Sequence, residues 1–309
     1  MRVVVGLGGN ALLKRGEPLT HEVQRGNVLR AAAALAGVAR AHELVVTHGN
    51  GPQVGLLAIQ DLAVPELGNF TLDVLGAETE GMIGYLLAQE LRNELPGTPI
   101  VSLLTQVEVD PEDPAFRYPS KPVGPVYTER EAEALAASRG WSVGPDGGGY
   151  RRVVPSPEPL RVLEIDALRL LADAGTLVVC AGGGGIPVIF DPFGRVHGVD
   201  AVVDKDYSAA LVAREMQADV LLLLTDVEGV LLEWGTPSER VLERATPRQL
   251  RSLELAEGSM RPKAEAAARF AERTGGWAAI GALEDAASIL RGEAGTRVER
   301  PGSPSPPRV

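Results

Sequence analysis

Residues 3–11 read Val-Val-Val-Gly-Leu-Gly-Gly-Asn-Ala, a β-branched run that ends directly in a glycine-rich turn. Short apolar runs of the same kind recur along the chain, at 44–49, 100–109, 176–182, 220–225 and 278–283. Amphipathic helical patterns separate most of these runs, at 23–40, 72–95, 165–174, 208–217 and 264–273. Continuous apolar strands that alternate with helices are typical of a mainly parallel sheet covered by helices on both faces. The sequence therefore predicts an α/β fold, in which ligands bind beyond the carboxyl ends of the strands.

The composition is that of an ordinary globular protein. The chain has 309 residues, of which 45% are hydrophobic and 23% charged, and its net charge is −11. An acidic chain without a basic tract is a poor candidate for binding nucleic acid. The single cysteine, Cys180, excludes an internal disulfide and lies in an apolar run, so we expect a buried, inert thiol. Because no apolar stretch approaches the ~20 residues that span a bilayer and no signal peptide is recognisable, we expect a cytoplasmic protein with no membrane partner.

Residues 110–159 interrupt the alternation of strands and helices. The segment contains nine prolines, three consecutive glycines and one short helical pattern at 129–139. Long ordered insertions are more often functional than not, so we interpret the segment as an inserted lid subdomain that carries Lys121. The predicted domains are an N-terminal lobe that includes this insertion, a C-terminal lobe and a disordered proline-rich tail, at 1–175, 176–297 and 298–309.

Three glycine-rich segments follow predicted strands and are candidates for binding a small anionic ligand. Their candidate binding residues are Gly8, Gly9 and Asn10; Gly49, Asn50 and Gly51; and Gly183 and Gly184. The first segment also matches the dinucleotide pattern GxGxxA, but the second strand ends at His48 and Gly49, where a ribose-binding carboxylate would be expected. We therefore favour turns whose backbone N–H groups face phosphate.

Lysine is rare in this chain, and its distribution indicates a phosphate site. Only four of the thirty basic residues are lysines. Lys205 and Lys263 both lie where a helical pattern begins, an unfavourable place for a cation unless an anion neutralises it. Two lysines at two helix starts predict one shared anion, for which a polyphosphate is the obvious candidate. Asp204 and Asp206 flank Lys205; they suit phosphate with Mg²⁺, or equally a capped helix with a solvated charge cluster.

In their order along the chain, these segments resemble the amino-acid kinase family, and within it the carbamate kinases. The similarity extends from residue 3 to about residue 297. His-Gly-Asn-Gly-Pro-Gln-Val-Gly at 48–55 is similar to motifs across several relatives, whereas Pro-Ser-Lys-Pro-Val-Gly-Pro at 119–125 and Arg-Arg-Val-Val-Pro-Ser-Pro at 151–157 are characteristic of the carbamate kinases. Glu80 stands where some relatives have a neutral amide, and its role stays open.

The resemblance implies a homodimeric three-layer αβα sandwich with a mainly parallel central sheet and a small protruding subdomain. It implies reversible phosphoryl transfer from ATP to carbamate, giving ADP and carbamoyl phosphate, with Mg²⁺ carried by the nucleotide and no protein ligand of the metal assigned. The N-terminal lobe would hold the carbamoyl group and the C-terminal lobe the nucleotide. The catalytic residues would be Lys121, Lys205, Lys263 and Asp206, and the nucleotide site would be lined by Asp204, Lys205, Thr225, Asp226, Gly229, Met260 and Lys263.

Two other functions stay open at this point. Another member of the same family would phosphorylate an acylamino acid or a small phosphate, and would need a further pocket for its substrate. A non-catalytic nucleotide-binding regulator of the same fold could have lost any of Lys121, Lys205 and Lys263, all of which are present. Lys14 follows the first glycine turn, but no motif includes it, and we expect it on the surface.

Overall fold

A computed structural model describes residues 1–13, 17–18, 20–62, 70–256 and 258–302, so Lys14 and residues 303–309 of the predicted tail lie outside the described residues. The helices are α1 (Gly9–Leu12), α2 (His21–Ala39), α3 (Gly51–Leu62), α4 (Leu72–Glu94), α5 (Glu129–Arg139), α6 (Ile165–Asp173), α7 (Lys205–Glu215), α8 (Pro247–Arg251), α9 (Met260–Arg273) and α10 (Ala286–Arg291). The strands are β1 (Arg2–Leu7), β2 (Glu43–His48), β3 (Ile100–Ser102), β4 (Gln106–Val109), β5 (Lys121–Tyr127), β6 (Ser142–Asp146), β7 (Gly149–Val154), β8 (Pro159–Val162), β9 (Leu177–Val179), β10 (Ile186–Phe190), β11 (Val196–Gly198), β12 (Val220–Thr225), β13 (Leu231–Leu232), β14 (Arg240–Val241), β15 (Arg244–Ala245), β16 (Trp277–Ala282) and β17 (Thr296–Val298). Within the described ranges, every helix is too short or too polar to cross a membrane.

The main sheet carries the core of the molecule. In the described residues it has eight strands, in the order β15–β17–β16–β12–β1–β2–β9–β3, with β16 to β3 all parallel and β17 antiparallel to β16. Every residue of β12 is buried, and its side chains alternate between two clusters. Leu222 and Leu224 pack with α2, α4 and α10, whereas Leu221 and Leu223 pack with α6, α7 and α9. Helices therefore enclose the sheet on both faces, which confirms the predicted three-layer αβα sandwich.

One predicted strand is wrong in its length. All six predicted runs contribute a strand to the main sheet, but the run at 100–109 forms β3, turns, and continues as β4 in a second sheet of order β11–β10–β4–β8. Thr105 lies in this turn, where its N–H donates to Glu80 Oε2 at 3.3 Å and its Oγ1 accepts from Ala181 N at 3.0 Å. These two hydrogen bonds stabilise the turn in which the chain leaves the edge strand β3, and their partners, Glu80 and Ala181, are both distant from Thr105 in sequence.

The inserted segment forms a small unit of its own. Strands β5, β7 and β6 make an antiparallel three-stranded sheet with α5 beside it. Helix α5 begins with a capping box made by Thr128 and Glu131 and ends at Gly140, whose φ of 68° suits glycine. Val123 and Val154 of this unit join a buried cluster with side chains of α3 and α4, which fixes the insertion against the N-terminal lobe.

Ordered structure reaches the start of the predicted tail. Val298 is fully buried in β17, where it pairs with Ala278 of β16 and Ala245 of β15. The short strands β15 and β17 extend the main sheet beyond the last predicted strand. The boundary between the C-terminal lobe and its tail therefore lies beyond residue 298 in this structure.

Candidate active site

The turns after β1 and β2 meet the start of α7 at the carboxyl edge of the main sheet. Gly49 N donates to Leu7 O at 2.9 Å, which keeps the two turns side by side. A Cβ atom built on Gly49 would lie 2.9 Å from Lys205 Cδ and 3.0 Å from Gly9 N, so only glycine allows this close approach. The structure thus brings together residues from the first two predicted binding turns and one of the predicted lysines.

The first turns differ in one respect from the sequence expectation. Gly8 N donates to Leu224 O at 2.7 Å, so this N–H group is engaged in the sheet and is not the expected phosphate donor. Gly9 and Gly51 are instead the first residues of α1 and α3, where N–H groups lack partners within the helix. Asn10 lies in α1, with its side chain outside the described part of the chain.

Lys205 and Lys263 converge on one carboxylate. Lys205 begins α7 and Lys263 lies in the first turn of α9, and each Nζ donates to Asp206 Oδ2 at 3.2 Å. Burial lowers the pKa of Lys263, and Asp206 offsets only part of that shift. Burial would also lower the pKa of Lys205, but Asp206 and Asp204 outweigh it and hold that pKa above its ordinary value. Two ammonium groups on one carboxylate leave surplus positive charge for an anion.

Lys121 reaches the same site from the insertion. It is the first residue of β5, and its Nζ donates to Asp204 Oδ2. Asp204 also caps α7, because its Oδ1 accepts from Asp206 N at 2.9 Å. Burial would raise the pKa of Asp204, but Lys121 and Lys205 hold that pKa well below its usual range. Three lysines and two aspartates therefore give the cluster a net charge of +1.

The third glycine segment packs between Asn50 and α7. Residues Gly182–Gly184 form a single 3₁₀ turn in which Gly183 has φ 70°. A Cβ atom on Gly183 would overlap the amide of Asn50, and one on Gly184 would overlap Val203 O. Ser208 Oγ of α7 donates to Gly184 O at 2.6 Å. The turn needs glycine both for its conformation and for the space it has.

The predicted nucleotide-lining residues lie at the ends of β12 and the start of α9. Thr225 ends β12, and its Oγ1 donates to Asp226 Oδ1 at 3.0 Å. Met260 is the first residue of α9 and packs, half-buried, against the core of the C-terminal lobe. A Cβ atom on Gly229 would lie 2.8 Å from Thr296 Oγ1, so packing against β17 accounts for this glycine.

A buried polar cluster beneath the glycine turns was missed by the sequence reasoning. Glu80 is 1% exposed, and its Oε1 accepts from Gly182 N at 2.8 Å. The adjacent Thr79 accepts through Oγ1 from Asn50 Nδ2 at 2.8 Å. Both side chains lie on the stripe of α4 that also buries Leu72 and Ile83. A carboxylate on a largely apolar helical stripe was the available signal.

A family model of the amino-acid kinase family matches residues 1–280. This match covers most of the chain and includes the insertion and the three lysines. It agrees with the geometry, in which helix N-termini, glycine turns and ammonium groups meet beyond the carboxyl ends of parallel strands. The chain therefore belongs to the amino-acid kinase family.

Several relatives at high identity are carbamate kinases. The chain is 51% identical over 301 residues to the carbamate kinase of Haemophilus influenzae, covering 97% of both chains. It is 53% identical over 300 residues to that of Rhizobium meliloti, covering 96% of this chain and 92% of the relative. Among solved structures, the carbamate kinase from Giardia lamblia bound to AMP-PNP matches with a TM-score of 0.89 at 38% identity, covering 97% of this chain and 98% of that one. These similarities place the chain with the carbamate kinases within its family.

Proposed function

We propose that the chain catalyses reversible phosphoryl transfer between ATP and carbamate, giving ADP and carbamoyl phosphate. The observation that carries the proposal is the convergence of Lys205 and Lys263 on Asp206 at two helix N-termini, beside the turns of Gly9 and Gly49. That arrangement supplies positive charge without an enzyme nucleophile. Phosphoryl transfer needs in-line positioning and charge compensation on the transferred oxygens, and little covalent help.

Each lysine has a distinct part in this proposal. Lys205 and Lys263 compensate the charge that develops on the transferred phosphoryl group, and Asp206 orients both ammonium groups. Lys121 contacts the group from the insertion, and its ion pair with Asp204 supports this part of the proposal. The N–H groups at the helix starts and the Gly183 turn complete the binding site for the small phosphoryl acceptor.

The nucleotide is proposed to carry Mg²⁺ into the site. Among the described residues, no group of three or more histidine, cysteine, aspartate or glutamate side chains could hold a metal ion. Asp204 and Asp206 are engaged with lysines, so phosphate oxygens are the better ligands. Bound Mg²⁺ would neutralise charge on the phosphates as they separate. A cytoplasmic location is also part of the proposal.

A homodimer is also part of the proposal, with a second copy of the chain packed on α4. Met82 and Tyr85 lie three residues apart on α4 and are 36% and 64% exposed, and Leu104, in the turn after β3, is 54% exposed. A Cβ atom on Gly81 would lie 3.9 Å from Leu104 Cδ2, so these residues form one surface. Contiguous exposed apolar surface marks an interaction site. Light scattering should give a dimer for the wild type and a monomer for Tyr85→Asp; a monomeric wild type would refute this part.

The direct test of the activity is ATP formation from ADP, Mg²⁺ and carbamoyl phosphate. Acetyl phosphate and N-acetylglutamyl phosphate serve as comparison donors. ATP from carbamoyl phosphate alone, or far faster than from the others, is the expected result. Preference for N-acetylglutamyl phosphate would favour an acylamino-acid kinase, and no turnover with any donor would favour a nucleotide-binding regulator.

The role of Lys121 is tested by separating binding from turnover. In Lys121→Ala, calorimetric ADP binding should be retained while turnover falls by about 10²–10³, by comparison with the loss of one oxyanion-hole donor. Arg130→Ala, in the exposed α5 of the same insertion, is the matched control and should change neither quantity. Equal loss of binding and turnover in Lys121→Ala would contradict the lid role.

A further inference from the structure

Glu80 bridges three segments that meet under the site. It lies in the middle of α4, and its Oε1 accepts from Gly182 N at 2.8 Å while its Oε2 accepts from Thr105 N at 3.3 Å. Thr105 in turn accepts through Oγ1 from Ala181 N at 3.0 Å. The N–H groups of two successive residues at the start of the glycine turn are therefore held by α4 and the turn after β3.

The glycine turn depends on these bonds for its shape. Ala181 has φ 47°, Gly183 φ 70° and Gly184 φ 102°. Ala181 is not a glycine, and such a residue adopts the left-handed region only when its surroundings hold it there. The anchoring bonds to Glu80 and Thr105 lie directly at this residue and the next. Losing them should let the turn relax.

The same turn of α4 also positions Asn50, whose amide packs against the Gly182–Gly184 turn. Thr79 accepts from Asn50 Nδ2 at 2.8 Å and donates to Leu75 O at 2.9 Å. The Asn50 amide occupies the space directly against Gly183. Asn50 and the glycine turn are thus positioned relative to each other by two adjacent residues, Thr79 and Glu80.

The surroundings of Glu80 favour its neutral form. The titratable groups that face it are His48 from β2, Cys180 after β9 and Glu164 before α6. Burial raises the pKa of Glu80 to about 8, against the opposing effect of its N–H donors, and Glu164 adds to the rise. A neutral carboxyl group has a proton to donate and needs an acceptor.

His48 brings an acceptor atom, Nε2, close to Glu80. Its Nδ1 lies 3.2 Å from Gly49 O, which can only accept, so Nδ1 carries the hydrogen and Nε2 the lone pair. Burial lowers the pKa of His48 to about 4, which keeps the ring neutral. Nε2 is buried without a hydrogen-bond partner among the described residues. The His48 ring and Glu80 Cγ both contact the position that a Cβ atom on Gly182 would occupy.

We propose that Glu80 is a positioning residue for the proposed phosphoryl transfer, on which this inference rests. Through its bonds to Gly182 N and Thr105 N it holds the Gly182–Gly184 turn against Asn50, and it does so as a neutral carboxyl group. In this form Glu80 fixes the backbone that faces carbamate, the proposed phosphoryl acceptor, without placing a negative charge beside the substrate. Ionisation of Glu80 adds a buried negative charge beside this backbone.

Glu80→Gln and Glu80→Ala test the proposal, with Glu90→Gln as the matched control. Glu90 is equally buried on α4 but binds Arg25 and Asn93, away from the site. Glu80→Gln keeps a neutral group with a donor, so it should retain turnover at pH 7 and lose the fall in rate that the wild type and Glu90→Gln show above pH 8. Glu80→Ala should lose about 100-fold in kcat/KM for carbamoyl phosphate, the order expected for a misplaced acceptor, with calorimetric ADP binding unchanged.

Two further measurements do not depend on activity. The infrared C=O band of a protonated carboxylic acid should be present at pH 7 in the wild type and Glu90→Gln, vanish near pH 8, and be missing in Glu80→Gln. Hydrogen exchange at Gly182 should speed up in Glu80→Ala and not in Glu80→Gln. Absence of the band, or an unchanged alkaline fall in Glu80→Gln, would overturn the proposal. A wild type that makes no ATP from carbamoyl phosphate would instead overturn the proposed function, while the band and the exchange rate still decide the role of Glu80.

Discussion

Replacing Asp206 by asparagine tests whether the lysine cluster is built to hold an anion. Asp206 is 2% exposed and accepts from Lys205 Nζ and Lys263 Nζ, each at 3.2 Å. Asparagine keeps the shape of the side chain but removes its charge, so both ammonium groups lose the partner that neutralises them. Lys263 is affected most, because its side chain is 7% exposed against 23% for Lys205.

The size of the effect follows from the two ways in which the folded variant can respond. Removing one partner of a buried ion pair costs about 3–5 kcal/mol. Lys263 can instead lose its proton. At pH ~7.5, about three pH units below the ordinary lysine pKa of 10.5, this costs about 4 kcal/mol, because each unit is about 1.4 kcal/mol. The two figures agree. With Lys263 neutral only in the folded state, the unfolded chain binds more protons, so stability recovers by about 1.4 kcal/mol per pH unit as pH rises toward 10.5.

Urea unfolding of Asp206→Asn at pH ~7.5 and pH ~9.5 measures this directly. The free energy of unfolding should fall by about 3–4 kcal/mol at the lower pH and by about 1–2 kcal/mol at the higher one. ATP at about 100 times its Kd should restore about 2.7 kcal/mol. The control is Asp166→Asn, whose exposed carboxylate pairs with Arg169 at 3.1 Å and should contribute less than about 0.5 kcal/mol. A loss that is independent of pH, or no larger than that of the control, would refute the reasoning.

Three further predictions rest on single contacts. Gly49→Ala should lower the free energy of urea unfolding by about 1–3 kcal/mol, because its Cβ would lie 2.9 Å from Lys205 Cδ. Gly37→Ala on α2 is the control: its Cβ would meet nothing within 4 Å, so the variant should be more stable by about 0.5–1 kcal/mol, and effects of equal sign in the two variants would contradict the prediction. Cys180 is buried, which raises its pKa, so a disulfide reagent should titrate one thiol only after unfolding, and rapid reaction of the native protein would show the thiol to be accessible. Burial lowers the pKa of His48 from 6.5 to about 4, so the unfolded state binds the proton first as the pH falls. The free energy of unfolding should therefore drop by up to about 3 kcal/mol between pH 6.5 and pH 4. His48→Asn should remove that drop, and an unchanged pH profile would exclude His48 as its source.

The sequence predicted the elements of the fold where local pattern is enough to decide them. The run 220–225 is apolar at nearly every position because both faces of β12 are covered, and that pattern can be recognised without knowing which strands lie next to it. The start of α7 could also be predicted, because Asp204 caps the helix through a hydrogen bond from Asp206 N, only two residues away. The break between β3 and β4 could not be predicted, because the residues that hydrogen-bond Thr105 there, Glu80 and Ala181, are distant in sequence. The role of Glu80 could not be predicted for the same reason, because its hydrogen-bond partners, Thr105 and Gly182, lie far from it in sequence.

The meeting of the two helix starts follows from the topology. Strands β12 and β16 are neighbours and parallel, and each is preceded by a helix, α7 or α9, packed on the same face of the sheet. A helix that leads back to a parallel strand runs antiparallel to it, so both helices begin side by side at the carboxyl edge. Lys205 and Lys263 therefore come together although they are far apart in sequence. The alternation of strands and helices placed the lysines at one edge, but only the order of the strands makes them neighbours that share Asp206. With two lysines on one carboxylate and Lys121 on another, this cluster of five side chains carries one more positive charge than negative, and a phosphate group bound there would compensate it.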